Sequence, residues 1–126
     1  MTRLSRLTGY ALLAAGTWML VVASVSAQET TERYIPIGQS PGVSGKYSYV
    51  GRIVAVDTSD HAVTVEDDKG RHRLRVTEET SLWLDRNKSK RRNMTASFHD
   101  CRVGRRVEIM YTHDDKRVAR WIKIEN

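Results

Sequence analysis

The chain has 126 residues, with 21 Lys and Arg against 15 Asp and Glu, a net charge of +6 and a single cysteine, Cys101. That length supports one small hydrophobic core and leaves no room for a second large domain. The charge is far from a histone-like excess, and a lone cysteine excludes an internal disulfide, so the core must hold by burial or with a partner's help.

Arg3 and Arg6 precede an uncharged run of 22 residues, Leu7 to Gln28. Basic residues ahead of an apolar run keep the N-terminus cytoplasmic, so the chain beyond it is expected outside the cytoplasm, in the periplasm of a bacterium. Val25-Ser26-Ala27 offers small residues at the two positions a signal peptidase reads. Cleavage after Ala27 would leave 99 residues carrying 19 basic and 15 acidic side chains. A signal core needs about 7–15 apolar residues and a spanning helix about 20, so the run serves either role. Residues 1–27 therefore read as a signal peptide or a membrane anchor, contacting the bilayer through residues 7–27 if uncleaved. Gly9, Thr17, Ser24 and Ser26 weaken the run as in cleaved signals, which favours removal. Ala11/Ala15 and Ala23/Ala27 have the spacing that lets helices pack in a bilayer, but Ala is abundant in signals anyway.

Residues 28–46 hold both prolines and three glycines with little apolar periodicity, and are expected as an extended linker. Tyr34-Ile35-Pro36-Ile37 is odd there. Apolar residues in a linker make sense only against the chain's own folded domain, a membrane or another subunit.

Residues 47–126 read as the folded domain. Tyr47 to Val56 is long and rich in β-formers, with Val50, Val54 and Val56 on one face and Tyr49, Ile53 and Ala55 on the other. Gly51 within it marks a bulge or sharp coil. Asp57 to Asp60 is turn chemistry, and Val63 and Val65 point inward from the next strand. Asp67-Asp68-Lys69-Gly70 turns the chain again. Arg71 to Val76 then alternates, with Arg71, Arg73 and Arg75 on one face and His72, Leu74 and Val76 on the other. Thr77 to Gly104 is less regular, with an apolar patch at Leu82-Trp83-Leu84, a basic run and a single turn near 95–100. Arg105 to Tyr111 is a strand with Val107, Ile109 and Tyr111 inward, and Val118 to Ile124 closes the domain with Ile122 and Ile124 inward. Five strands, the first long and coiled and the longest connection between the third and fourth, predict an all-β, small five-stranded OB-like barrel.

Gly51-x-Ile53-x-x-Val56-Asp57, Val63-x-Val65, Gly70, Leu74-x-Val76, Thr80, Val103-Gly104-x-x-Val107-x-Ile109 and Ala119-x-x-Ile122-x-Ile124 together resemble the small extracytoplasmic OB-like barrel domains of unknown function found in bacterial secreted proteins. The resemblance covers Tyr47 to Ile124. It rests on core and turn positions, so it implies a fold and no chemistry. A looser similarity links the domain to periplasmic copper- and silver-binding barrels, whose metal is held by a His, two Met and a Trp around a Met-Thr-Met run. Here the run reads Met94-Thr95-Ala96, without the second Met.

Met94, His99 and Cys101 are the soft-metal candidates, since thioether, imidazole and thiolate suit Cu(I). No paired Cys-x-x-Cys or His-x-x-His spacing supports them, and Cys101 sits where an apolar core residue is expected. The basic run is denser: Arg86 to Arg106 holds eight cations against one acid, Asp100. Arg86, Lys88, Lys90, Arg91, Arg92, Arg105 and Arg106 are the expected docking residues for an anionic partner, together with Tyr34, Ile35 and Ile37. Export argues against nucleic acid and for lipid headgroups, acidic glycans or an acidic protein. The competing reading is that the arginines keep a small barrel soluble and its edges unpaired. Asp67/Asp68, Glu78/Glu79 and Asp114/Asp115 are adjacent pairs, which point apart on a strand and make no acid/base site by themselves. No catalytic residue and no cofactor is expected. The sequence reads as a non-enzymatic extracytoplasmic binding or accessory module with a protein partner. A retained helix would make it a subunit of an integral membrane complex. The alternative is a soluble periplasmic binder of a metal or small anionic ligand.

Overall fold

Alternating apolar residues between turn signals form strands throughout the domain. The computed structural model describes residues 31–126, and the expected signal or anchor helix over residues 1–27 lies outside them. Among the described residues no helix is long and apolar enough to cross a membrane. Arg33–Asn126 forms one unit, built from β1 (Ser48–Asp57), β2 (Ala62–Asp67), β3 (Gly70–Arg75), β4 (Ser81–Asp85), β5 (Met94–Thr95), β6 (Arg106–Tyr111) and β7 (Ala119–Glu125). Single 3-10 turns at Asn87–Ser89 and Phe98–Asp100 flank β5. The second matches the turn expected near 95–100, and the Ser97 N–H donates to the Asp100 carboxylate at 2.9 Å to cap it.

The protein is all-β as expected, but the strand count and closure need correcting. Seven strands lie in one sheet of order β3-β2-β1-β6-β7-β4-β5, which is not closed into a barrel. The five expected strands are β1, β2, β3, β6 and β7. The extra pair comes from the irregular stretch: Leu82-Trp83-Leu84 becomes β4, which runs parallel to β7 with Leu82 opposite Ile122 and Leu84 opposite Ile124. The two-residue β5 pairs with β4. A parallel neighbour distant in sequence has no local turn signal, which is why alternation alone missed it. One isolated parallel bridge, Arg75 to Val118, links the end of β3 to the chain entering β7.

Ile53, Val63, Val65, Leu74, Val107, Ile109, Ile122 and Ile124 form the core on one face of the sheet, with Cys101 among them. The register of β1 slips between Ile53 and Ala55. After the slip Val56 packs against the core and Ala55 is exposed, the reverse of the phase expected from alternation. The slip lies two residues beyond Gly51, whose own role is close approach. A β-carbon there would strike the Glu66 carbonyl oxygen and lie 2.8 Å from its carbon.

Candidate functional site

The alternation that buries Val107, Ile109, Ile122 and Ile124 forces Glu108 and Lys123 to the opposite face of the sheet. Trp121 on β7 and Trp83 and Asp85 on β4 share that face, where the register sets Lys123 opposite both Glu108 and Trp83. Polar residues there would ordinarily be solvated. Instead Glu108 is 0% exposed and Lys123 1%.

The cover is the second half of the expected linker. Residues 33–47 run as successive turns across β4, β6 and β7, a strap that puts Ile37 at 3% exposure and Ser40 at 3%. Its backbone is held by side chains of the sheet. Ile37 N–H donates to Asp85 Oδ2 at 2.9 Å and Gly38 N–H to Glu108 Oε1 at 3.0 Å. Ser44 and Ser48 hydroxyls both donate to Glu108 Oε2 at 2.6 Å. Lys123 Nζ donates to Ser40 Oγ at 2.9 Å, lies 3.9 Å from Glu108 Oε1 and sits 4.6 Å from the centre of the Trp121 ring. Several strap N–H groups bond back to strap carbonyls, as those of Gln39 to Pro36 and of Val43 and Ser44 to Ser40, while those of Ile37 and Gly38 are met by two buried carboxylates.

Burial pushes the Asp85 carboxyl upward. The N–H groups of Ile37 and Asn87, the Asn87 side chain and the Lys123 ammonium outweigh it and hold the group below the usual carboxylate value. A buried charge in this setting is stable only while its donors stay in place, so strap and sheet face are energetically one object.

The strap also reaches the basic loop. Asn93, 6% exposed, donates from Nδ2 to the Arg33 carbonyl at 3.0 Å and accepts the Arg86 N–H through Oδ1 at 2.8 Å. Tyr34 is exposed and lies between two guanidinium groups, Arg33 at 5.7 Å and Arg92 at 5.1 Å from its ring centre. Arg92 also donates to its hydroxyl at 3.2 Å. Lys88 and Arg106 converge on Glu125 at 3.0 and 3.6 Å. The structure thus brings Tyr34, Arg86, Lys88, Arg92 and Arg106 onto one edge and adds Arg33, which sequence reasoning missed. Lys90 and Arg91 project from the same loop, exposed and without an ion pair among the described residues. The buried Nε of Arg33 has no acceptor. Ile35 is half-buried, and Ile37 is the strap residue buried against the sheet. Arg105 departs from the group, since its guanidinium donates to the Asp100 carbonyl at 3.2 Å.

The other candidates disperse. Cys101 is buried in the core, where burial pushes its thiol up to about 11, while Met94 and His99 are exposed. Among the described residues no three His, Cys, Asp or Glu side chains form a group able to hold a metal. Arg71 pairs with Glu66, and Arg73 with Asp57 and Asp60, so two of the three β3 arginines are met by their own sheet. Glu78, Glu79, Asp114 and Asp115, two adjacent pairs distant in sequence, line one open cleft of about 550 Å³. Asp115 is already engaged by the Arg117 backbone and guanidinium.

No family model, no curated protein and no solved structure matches this chain.

Proposed function

We propose that this protein is a non-enzymatic, extracytoplasmic binding or accessory module that docks an acidic protein surface on the basic edge around Tyr34. One observation carries the reading. The strap and the basic loop, far apart in sequence, meet at Tyr34, which has Arg33 and Arg92 against its ring, while Lys90 and Arg91 of the same loop are exposed and make no ion pair among the described residues. Aromatic and Arg side chains are the residues enriched at protein interfaces. An OB-like reading of the domain draws support from the meander of β1 to β3, the pairing of β1 with β6 and the parallel bridge between the end of β3 and the chain entering β7. The N-terminal run supplies the address, and where it is retained the partner is a membrane complex.

The test is purification of the full-length tagged chain from membranes in mild detergent, beside a variant carrying Lys90→Glu, Arg91→Glu and Arg92→Glu. A co-purifying protein that the charge-reversed variant loses supports the reading. A lone monomer, or a partner retained equally by both, overturns it. The mass of the mature chain decides the anchor: loss of residues 1–27 removes the membrane-subunit version.

A further inference from the structure

A second cleft, away from the basic edge, lies at the start of β1 and has a volume of about 290 Å³. Two tyrosines are among its lining residues. Tyr49 and Tyr111 have ring centres 5.3 Å apart, and His72 stacks on Tyr49 at 3.8 Å and 6°. His72 is in turn fixed by its Nε2, 3.0 Å from Asp67 Oδ1, an acceptor that also takes the Lys69 N–H at 2.9 Å. Tyr49 is therefore held by its neighbours before any ligand arrives. Lys46, Lys69, Lys116, Asp67 and Asp68 also line it, and Lys46 lies 5.2 Å from the Tyr47 ring centre. Lys116 lies 5.6 Å from the Tyr111 ring centre, and Lys69 makes no ion pair among the described residues.

The mixture selects a ligand class. Three ammonium groups favour an anion, yet two carboxylates line the same space and repel one that offers only acceptors, such as phosphate or sulfate. Asp68 instead rewards hydroxyl donors, and the tyrosine rings reward an apolar face. At about 290 Å³ the cleft lies at the small end of ligand sites, which suits a ligand of one ring. We propose that this cleft binds a single acidic sugar residue of the uronate class, its carboxylate among Lys46, Lys69 and Lys116, a hydroxyl on Asp68 and its ring on Tyr49 and Tyr111. This site is separate from the Tyr34 edge, so it stands or falls independently of the docking reading.

The test is a titration of the ¹⁵N-labelled mature chain with sodium glucuronate, glucose and sodium sulfate at constant ionic strength. Glucuronate is expected to shift the amides of residues 45–50, 67–69 and 111–116 saturably below about 10 mM, with glucose and sulfate at least about tenfold weaker. Lys69→Ala and Lys116→Ala, both exposed turn positions, should weaken glucuronate at least about fivefold while the remaining spectrum is unchanged. Asp68→Asn should weaken glucuronate and strengthen sulfate. Absence of saturable shifts, sulfate or glucose matching glucuronate, or unchanged affinity in both lysine variants overturns the proposal.

Discussion

Replacing Glu108 with Gln should unfold the strap and much of the domain with it, whereas replacing its ion-pair partner Lys123 with Met should not. The carboxylate accepts three hydrogen bonds from the strap and the start of β1: from Gly38 N–H and from the Ser44 and Ser48 hydroxyls. Each hydrogen bond to a buried charge contributes about 1.5–3 kcal/mol, and a donor left unmatched costs about 1–3 kcal/mol. Gln keeps the shape but turns an NH₂ toward one of those donors, and it leaves the buried Lys123 ammonium without this counter-charge. The loss is about 3–5 kcal/mol, the range for breaking one side of a buried pair. Lys123→Met also takes a cation away from two buried carboxylates, Glu108 and Asp85, but both keep their hydrogen-bond donors and an apolar stem remains against Trp121, so its cost is smaller, about 1–3 kcal/mol. Urea unfolding of the mature chain followed by the fluorescence of Trp83 and Trp121, both buried on the same face of the sheet, measures each variant and the double mutant. The cycle should show a coupling of at least about 1 kcal/mol. Equal losses in the two single variants, or a loss below about 1 kcal/mol for Glu108→Gln, would refute the view that Glu108 anchors the strap.

Gly51→Ala forces a β-carbon into the Glu66 backbone, which cannot move without breaking the β1–β2 pairing, and should cost more than about 2 kcal/mol, read as a lowered Tm. The Asp85 carboxyl lies below its ordinary value in the folded state, so its contribution is fully present above about pH 4 and is lost as pH falls through the depressed value. Tm measured from pH 6 to pH 2 should therefore fall in acid, and Asp85→Asn should be less stable at pH 6 and flatter across the range. Cys101, buried and with a thiol raised to about 11, should resist iodoacetamide at pH 8 in the native chain and react promptly in urea; fast native labelling would place it outside the core.

Period-two alternation made the inner face legible. Val63, Val65, Leu74, Val107, Ile109, Ile122 and Ile124 are inward where their spacing puts them, because a strand leaves each residue only two directions. The same rule leaves open what covers the other face. Glu108 and Lys123 alternate with buried residues and look exposed in any reading of the strand by itself, yet are among the most buried side chains. The one available sign was Tyr34-Ile35-Pro36-Ile37, an apolar patch in a Pro/Gly segment, and Ile37 is indeed the strap residue buried on the sheet. Trp83 and Trp121 are buried on that same face and lie 5.8 Å apart, ring centre to ring centre.

Residue order and type alone determined the all-β class, the core face, the turns at Asp57–Asp60 and Asp67–Gly70 and the density of cations between Arg86 and Arg106, since all of these follow from local backbone preference and composition. Tertiary structure decided the rest. It placed β4 beside β7, laid the strap over two buried carboxylates and gathered Tyr34, Arg33 and Arg92 at one edge. Those are contacts between residues some forty to eighty positions apart, and no local preference encodes them. They exist because an N–H or a charge taken out of water must find its partner wherever the fold supplies one.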